Sequence, residues 1–210
     1  MLKKSLRSAP QKTSKDFTNF DILGSFSKVF SSPLKKSSPD LKFLSACKIN
    51  TPLGSMIALS DERGLYLLEF VDKKGLEDEI EKLTLQLGAC LSFKSVSPLF
   101  LIKQELEAYF EGKLTTFVTP LHLLGSEFRK SAWTQLLLIP YGKTHSYATQ
   151  ALLLQKPTAY RAVANANGAN RLAIIVPCHR VIRENGELGG YAGGVNRKEW
   201  LLAHEKKHSN

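Results

Sequence analysis

The chain holds three cysteines, Cys47, Cys90 and Cys178, and only one of them stands among groups that could make it react. Cys178 lies in the run Ile175-Val176-Pro177-Cys178-His179-Arg180-Val181. Leu172 to Val176 is apolar and β-rich, which predicts a buried extended segment, and Pro177 removes a backbone N–H and ends regular pairing. The thiol is therefore expected where a buried segment emerges, beside an imidazole and a guanidinium. Such neighbours lower a thiol's pKa and favour the nucleophilic thiolate. Most free cysteines are small core hydrophobes, and that reading suits Cys47 and Cys90. For Cys178 the local chemistry leaves nucleophile and core thiol equally open.

Other chemistries find little support. No C-x-x-C pair is present, which argues against a disulfide framework or a cysteine-rich zinc site and suits a reducing compartment. Among the five histidines, His204 and His208 come closest to a ligand pair, but they fall at the C-terminal end of the chain, so no metal is expected.

The elements that must hold Cys178 follow from periodicity and punctuation. Ser126 is an N-cap candidate for a helix burying Phe128, Ala132, Leu136 and Ile139, ended by Pro140-Tyr141-Gly142. A short helix from Ser146 to Leu153, the turn Gln155-Lys156-Pro157, and a helix from about Thr158 to Asn167 have the outline of a helix-turn-helix. Any αα-hairpin shares that outline. Upstream, residues 41–123 read as an α/β unit. Strands are predicted at Met56–Ser60, Leu65–Phe70 and Thr115–Leu121. Amphipathic helices are predicted at Gly75–Leu87, through Leu76, Ile80, Leu83 and Leu87, and at Leu99–Glu111, through Leu101, Ile102, Leu106 and Phe110. Residues 1–40 are rich in Ser and Lys and read as a disordered basic tail, with a short element conceivable around Phe17 to Phe30.

The net charge of +10 is unevenly distributed. Residues 1–40 carry +5, residues 41–120 carry −2 and residues 121–210 carry +7. A basic C-terminal part nominates a polyanionic partner, although a solvated basic surface explains the charge equally well. No uncharged stretch is long enough to cross a bilayer. The N-terminus lacks the apolar core of a secretory signal, while its Lys, Arg and Ser content leaves a mitochondrial presequence open. The expected location is cytoplasmic, or nuclear in a eukaryote, and not secreted.

Pro177-Cys178-His179-Arg180-Val181 resembles the active-site signature of the O6-alkylguanine-DNA alkyltransferases. The resemblance continues in order through Ile139-Pro140-Tyr141-Gly142, Ser146-Tyr147, Arg161-Ala162-Val163 and Gly190-Tyr191-Ala192-Gly193-Gly194 to Lys198-Glu199-Trp200-Leu201-Leu202-Ala203-His204-Glu205. It implies an α/β N-terminal domain with a small sheet over residues 41–123. A mainly helical, winged-helix-like C-terminal domain would follow over 124–210. It implies that Cys178 takes the alkyl group of O6-alkylguanine, or of O4-alkylthymine, in an in-line displacement that leaves a stable thioether. His179 would take the thiol proton through a water and Glu205 would orient His179. Asn170 would brace the turn before the active-site segment. Tyr147 would help rotate the nucleotide and donate toward O6, and Arg161 would fill the space left in the base stack. The loop of Tyr191, Ala192 and Gly193 would wall the guanine pocket, and carbonyls around Cys178 and Val181 would receive the guanine amino group. No cofactor is implied. The implied partner is duplex DNA, with no membrane, bound by a monomer.

The chain departs from the family pattern at a few positions. Gln155 stands near the usual turn glycine, Arg171 follows Asn170 where proline is common, Ala164-Asn165 stands where glycine is frequent, and Tyr160 replaces a small residue beside Arg161. Three rival readings are separated by particular residues. A DNA-binding regulator would not need Cys178, His179 and Glu205 together. A lesion-flagging relative would lack the acceptor cysteine. A cysteine hydrolase would need an oxyanion site and turnover, which the resemblance does not imply.

Overall fold

A computed structural model describes residues 42–209; the expected tail, including Phe17 to Phe30, lies outside these residues. Strands β1 (Lys42–Thr51), β2 (Gly54–Ser60) and β3 (Leu65–Phe70) form an antiparallel meander. Asp61 makes the second turn by accepting the amides of Arg63 and Gly64 on Oδ1 at 2.8 and 3.0 Å. Helix α1 (Leu76–Leu87) returns the chain to β4 (Ala89–Ser92), which pairs parallel to β1 and completes the order β3-β2-β1-β4. Gly88, at φ 57°, ends α1 in the left-handed conformation that glycine adopts at little cost.

Side chains alternate across the sheet. Met56, Ala58, Leu68 and Phe70 face one core, and Ile57, Leu59 and Leu67 face a second core under α1. Helix α2 (Ser97–Phe110) lies in the first core through Leu99, Ile102, Leu106 and Tyr109. Its buried stripe includes Tyr109, while Phe110 and Leu101 are only partly buried.

Two expectations need correction. Thr115–Leu121 is not a strand. The buried Glu105 carboxylate takes the amides of Val118 and Thr119 at 2.5 and 3.2 Å, groups that a strand would give to a neighbour. Only Leu65 and Leu121 form a parallel bridge there. Leu172–Val176 is buried as expected but is a compact turn rather than an extended segment. Ile174 has φ 71°, the amide of Ile175 donates to Ala173 O at 2.9 Å, and Val176 donates to Leu172 O at 2.9 Å. The strands at β1 and β4 had no counterpart in the sequence reading.

The C-terminal part is helical. Helix α3 (Glu127–Leu137) is capped by Ser126, whose hydroxyl accepts the Arg129 amide, and buries Ala132, Trp133 and Leu136 with Phe128 only partly covered. Helix α4 (Tyr147–Leu153) is capped by Ser146, and α5 (Tyr160–Gly168) packs beside it. Between them Gln155 takes φ 57°, and Lys156 N donates to Ala151 O at 3.0 Å. A left-handed helix terminus is thus formed without glycine. Two short parallel strands, β5 (His145–Ser146) and β6 (Val181–Ile182), tie the start of α4 to the segment after Cys178. The last helix, α6 (Val195–His208), runs through His204 and His208.

The two parts meet at the Asn170–Val176 turn. Leu68 N donates to Arg171 O and Ala173 N donates to Leu68 O, both at 2.8 Å, so the free edge of β3 carries the turn that precedes Cys178.

Candidate active site

Cys178 begins a single 3-10 turn, Cys178–Arg180, and is 8% exposed. Two short-range bends place it there. Cys178 N donates to Val176 O at 2.8 Å across Pro177, and Arg180 N donates to Pro177 O at 3.0 Å. Asn170 organises the same turn. Its Oδ1 accepts the Leu172 amide at 3.0 Å, and its Nδ2 points to Val176 O at 2.9 Å and to Cys178 Sγ at 3.2 Å. A donor aimed at sulfur stabilises negative charge on it.

Glu205 is the centre of the buried network. One oxygen, Oε1, accepts from Tyr109 Oη at 2.9 Å and Arg180 Nη2 at 3.0 Å, and meets His179 Nε2 at 2.8 Å. The other, Oε2, accepts from Arg180 Nε at 2.9 Å and the Gly142 amide at 3.1 Å. Burial alone would raise this carboxyl, but its bonds to His179 and Arg180 outweigh burial and bring it down to about 2. Glu205 is therefore an anion. With Nε2 turned to that anion, the network assigns the ring proton to Nε2 and leaves Nδ1 as a lone-pair acceptor. Nδ1 of His179 is buried without a hydrogen-bond partner among the described residues. Burial also lowers the imidazole's pKa, so the ring is neutral at pH 7.

The expectation that His179 and Arg180 lower the thiol's pKa does not hold. Arg180 spends its guanidinium on Glu205 and on Ile139 O, at 2.6 Å, and His179 is neutral. The Cys178 thiol is pushed up to about 11, by burial first, with the Glu69 carboxylate adding to the shift and the Asn170 donor and Lys198 opposing it. It is a protonated thiol at neutral pH. Cys47, pushed up to about 12 by burial, is likewise a protonated thiol at neutral pH.

The remaining expected residues flank this cluster to different degrees. Tyr147, the first residue of α4, is half-buried, and burial and the neighbouring Cys178 both raise its phenol. Its hydroxyl lies against Gly189, where a Cβ would come within 3.1 Å of it. Tyr191 stands edge-on to His179 with centroids 6.4 Å apart, and its hydroxyl is sealed from solvent. Gly193 is enclosed by Tyr191 and Phe70, and a Cβ there would approach them to 2.8 and 2.9 Å. Ala192 is exposed. The carbonyl of Val181 accepts from Lys198 Nζ at 2.5 Å, and that of Cys178 accepts from the Val181 amide. Arg161 stands apart from the thiol, exposed on α5 with its guanidinium 5.9 Å from the Tyr160 ring centroid.

Three participants escaped the sequence reading. Tyr109 reaches Glu205 from α2, 96 residues away. Lys198 is fully buried, and burial lowers its amine to about 8. Glu69 on β3 is buried with Oε2 unpartnered among the described residues. A signal existed for Glu69 as a charged residue within the apolar run 65–71, and none for the burial of Lys198, which stands between Arg197 and Glu199. Among the described residues no group of three or more His, Cys, Asp or Glu side chains is placed to hold a metal ion.

Two family models match the chain. Residues 46–123 match the 6-O-methylguanine DNA methyltransferase, ribonuclease-like domain, and residues 127–207 match the 6-O-methylguanine DNA methyltransferase, DNA binding domain. A methylated-DNA–protein-cysteine methyltransferase of Methanosarcina barkeri is 42% identical over 164 residues, covering 76% of this chain and 96% of the relative. The protein of the same name from Mycobacterium tuberculosis H37Rv is 52% identical over 105 residues, covering 50% of this chain and 64% of the relative. Among solved structures, the Mycobacterium tuberculosis O6-methylguanine methyltransferase superposes with a TM-score of 0.67 at 37% identity, over 80% of this chain and 95% of that one. The same protein in complex with DNA gives 0.67 at 36% identity, over 80% and 94%.

Proposed function

The chain belongs to the methylated-DNA–protein-cysteine methyltransferase family, and on that premise we propose that Cys178 removes the alkyl group from O6-alkylguanine in duplex DNA. The activity is DNA repair by direct reversal. The Sγ–carbon bond forms as the carbon–O6 bond breaks, the thiol proton leaves the sulfur, and guanine regains a proton as it departs. These changes balance between protein and lesion alone. Sulfur is a good nucleophile toward saturated carbon, and the thioether has no easy hydrolytic exit, so each molecule acts once.

Because the free thiol is protonated at neutral pH, its proton must move during the reaction. Nδ1 of His179 is the buried acceptor, reached through a water, and the Glu205 anion compensates the imidazolium that forms. Asn170 stabilises the sulfur as charge develops and holds the turn. Tyr147 turns the nucleotide and donates toward O6, and Arg161 takes the vacated place in the stack. Tyr191, Ala192 and Gly193 wall the base, with the carbonyls of Cys178 and Val181 reading its amino group. O4-alkylthymine is a second substrate of the same chemistry. Residues 41–123 serve as the supporting domain and 124–210 as the reactive, DNA-binding one, with the basic tail of residues 1–40 outside both. Among the described residues no helix is long and apolar enough to cross a membrane, and we assign the protein to the cytoplasm, or to the nucleus of a eukaryote.

The observation that carries this reading is the Asn170 amide aimed at the Cys178 sulfur, since a core thiol needs no such donor. Single-turnover incubation with duplex DNA containing O6-methylguanine, followed by mass analysis of the Cys178 peptide, tests it. One methyl group on Cys178, guanine restored and no activity beyond one equivalent are expected. Methylation of Cys47 or Cys90, or catalytic turnover, overturns the reading. Cys178→Ala should still bind DNA, with affinity falling as salt rises.

A further inference from the structure

Helix α5 packs against α3 and α4. Trp133 Nε1 donates to Ala166 O at 2.8 Å, and Asn167 Nδ2 donates to Gln150 Oε1 at 2.8 Å, so its Val163-Ala166-Asn167 face is locked against α3 and α4. Tyr160, the first residue of the helix, is 47% exposed, and Arg161, on the side away from Val163 and Ala166, is exposed. Ala159, the residue before the helix, supplies no side-chain cap.

An exposed tyrosine alone is ordinary. Here its ring carries the guanidinium of Arg161 at 5.9 Å from the centroid, a cation–π distance. An arginine side chain otherwise samples many rotamers in water, and ordering it on insertion opposes binding. A ring that already holds the guanidinium reduces that loss. The same ring offers a flat π-face beside a base stack once the helix docks.

We propose that Tyr160 is a positioning residue for repair in duplex DNA. It pre-orients Arg161 for the place of the extruded nucleotide and stacks on the flanking nucleotide when Arg161 is inserted. The inference rests on the role given to Arg161 above. It concerns extrusion of the base and leaves the chemistry at Cys178 untouched.

The test compares two substrates in single-turnover reactions, duplex DNA containing O6-methylguanine and the free nucleobase O6-benzylguanine, which needs no extrusion. Tyr160→Ala should slow duplex repair roughly five- to tenfold, the range of one lost stacking or cation–π contact. The free-base rate should stay within about twofold, an allowance well inside a single contact. Tyr160→Phe keeps the ring and should restore most of the duplex rate. Adding Arg161→Ala to Tyr160→Ala should cost less than the product of the two single effects. A wild-type duplex rate for Tyr160→Ala overturns the proposal, as does an equal loss on both substrates or failure of the Phe variant to rescue. If Arg161→Ala alone leaves duplex repair unchanged, the role given to Arg161 fails. A loss confined to Tyr160→Ala then removes the coupling proposed here.

Discussion

Glu69 shows how far a single residue can be held from its usual chemistry. It is 1% exposed, has Lys73 Nζ at 3.0 Å from Oε1, and is pushed up to about 7, by burial first with Lys73 opposing. A folded pKa above the unfolded value means that the native state binds the proton more tightly. The associated stability is fully present below about pH 4.5 and is lost as pH rises through about 7. Glu69→Gln should therefore stabilise the protein by about 2–3 kcal/mol at pH 8 and change it little at pH 4.5, read by urea unfolding at both values. An equal effect at both would place the carboxyl's pKa near its ordinary value. The same substitution removes a charge that helps keep Cys178 protonated. A resting thiol of high pKa suits a residue that can be used only once, because adventitious electrophiles meet little thiolate.

At the scale of elements, the reactive turn is assembled from ends. Cys178 starts a 3-10 turn, Tyr147 starts α4, Asn170 follows α5 and Glu205 lies near the end of α6. The end of α4, like Ile174 in the turn before Cys178, carries a backbone cost. Gln155 occupies the left-handed region, a conformation that costs a non-glycine residue roughly 1 kcal/mol, while Lys156 N still closes on Ala151 O. Gln155→Gly should raise the melting temperature by about 2–4 °C, measured by calorimetry, because glycine meets no Cβ penalty there. A lower melting temperature would mean that the Gln155 side chain contributes more than its backbone strain costs.

Across the whole molecule, the sheet domain supports the reactive site directly. Tyr109 donates to Glu205, the edge of β3 pairs with the Arg171–Ala173 backbone, and Arg197 clasps the loop at Gly193. The Arg197 guanidinium lies 4.0 Å from the Phe70 ring centroid, forks onto Asp72 at 2.9 and 2.8 Å, and donates to Leu53 O and Gly193 O. The exposed Asp72 pair contributes little by itself; the ring and the two carbonyls contribute more. Arg197→Ala should lower stability by about 1–3 kcal/mol in urea and slow alkyl transfer by loosening the Gly193 loop. Unchanged kinetics would separate the clasp from the pocket. Arg171 takes part in the same join. Its guanidinium meets Glu79 of α1 at 3.2 Å, with Lys73 between Glu79 and Glu69.

The sequence by itself determined the parts that depend on local order. Periodicity placed α1 to α3, the turn at Gln155-Lys156-Pro157 separated α4 from α5, the Ser126 cap follows from side-chain chemistry, and the resemblance from Ile139 to Glu205 named Cys178, His179, Asn170 and Glu205 together. What the tertiary structure alone decided depends on groups distant in the chain. Strand β4 is four residues long, too short for a period to stand out. Thr115–Leu121 has strand composition, yet Glu105 satisfies its amides from α2. The charge state of the site is the clearest case. Adjacency suggested a thiol with a lowered pKa, but a pKa responds to burial and to charges in space. Burial pushes the thiol up, with Glu69, 109 residues away, adding and Lys198 opposing, and burial lowers His179 against the pull of Glu205, which leaves a protonated thiol with a neutral histidine beside it.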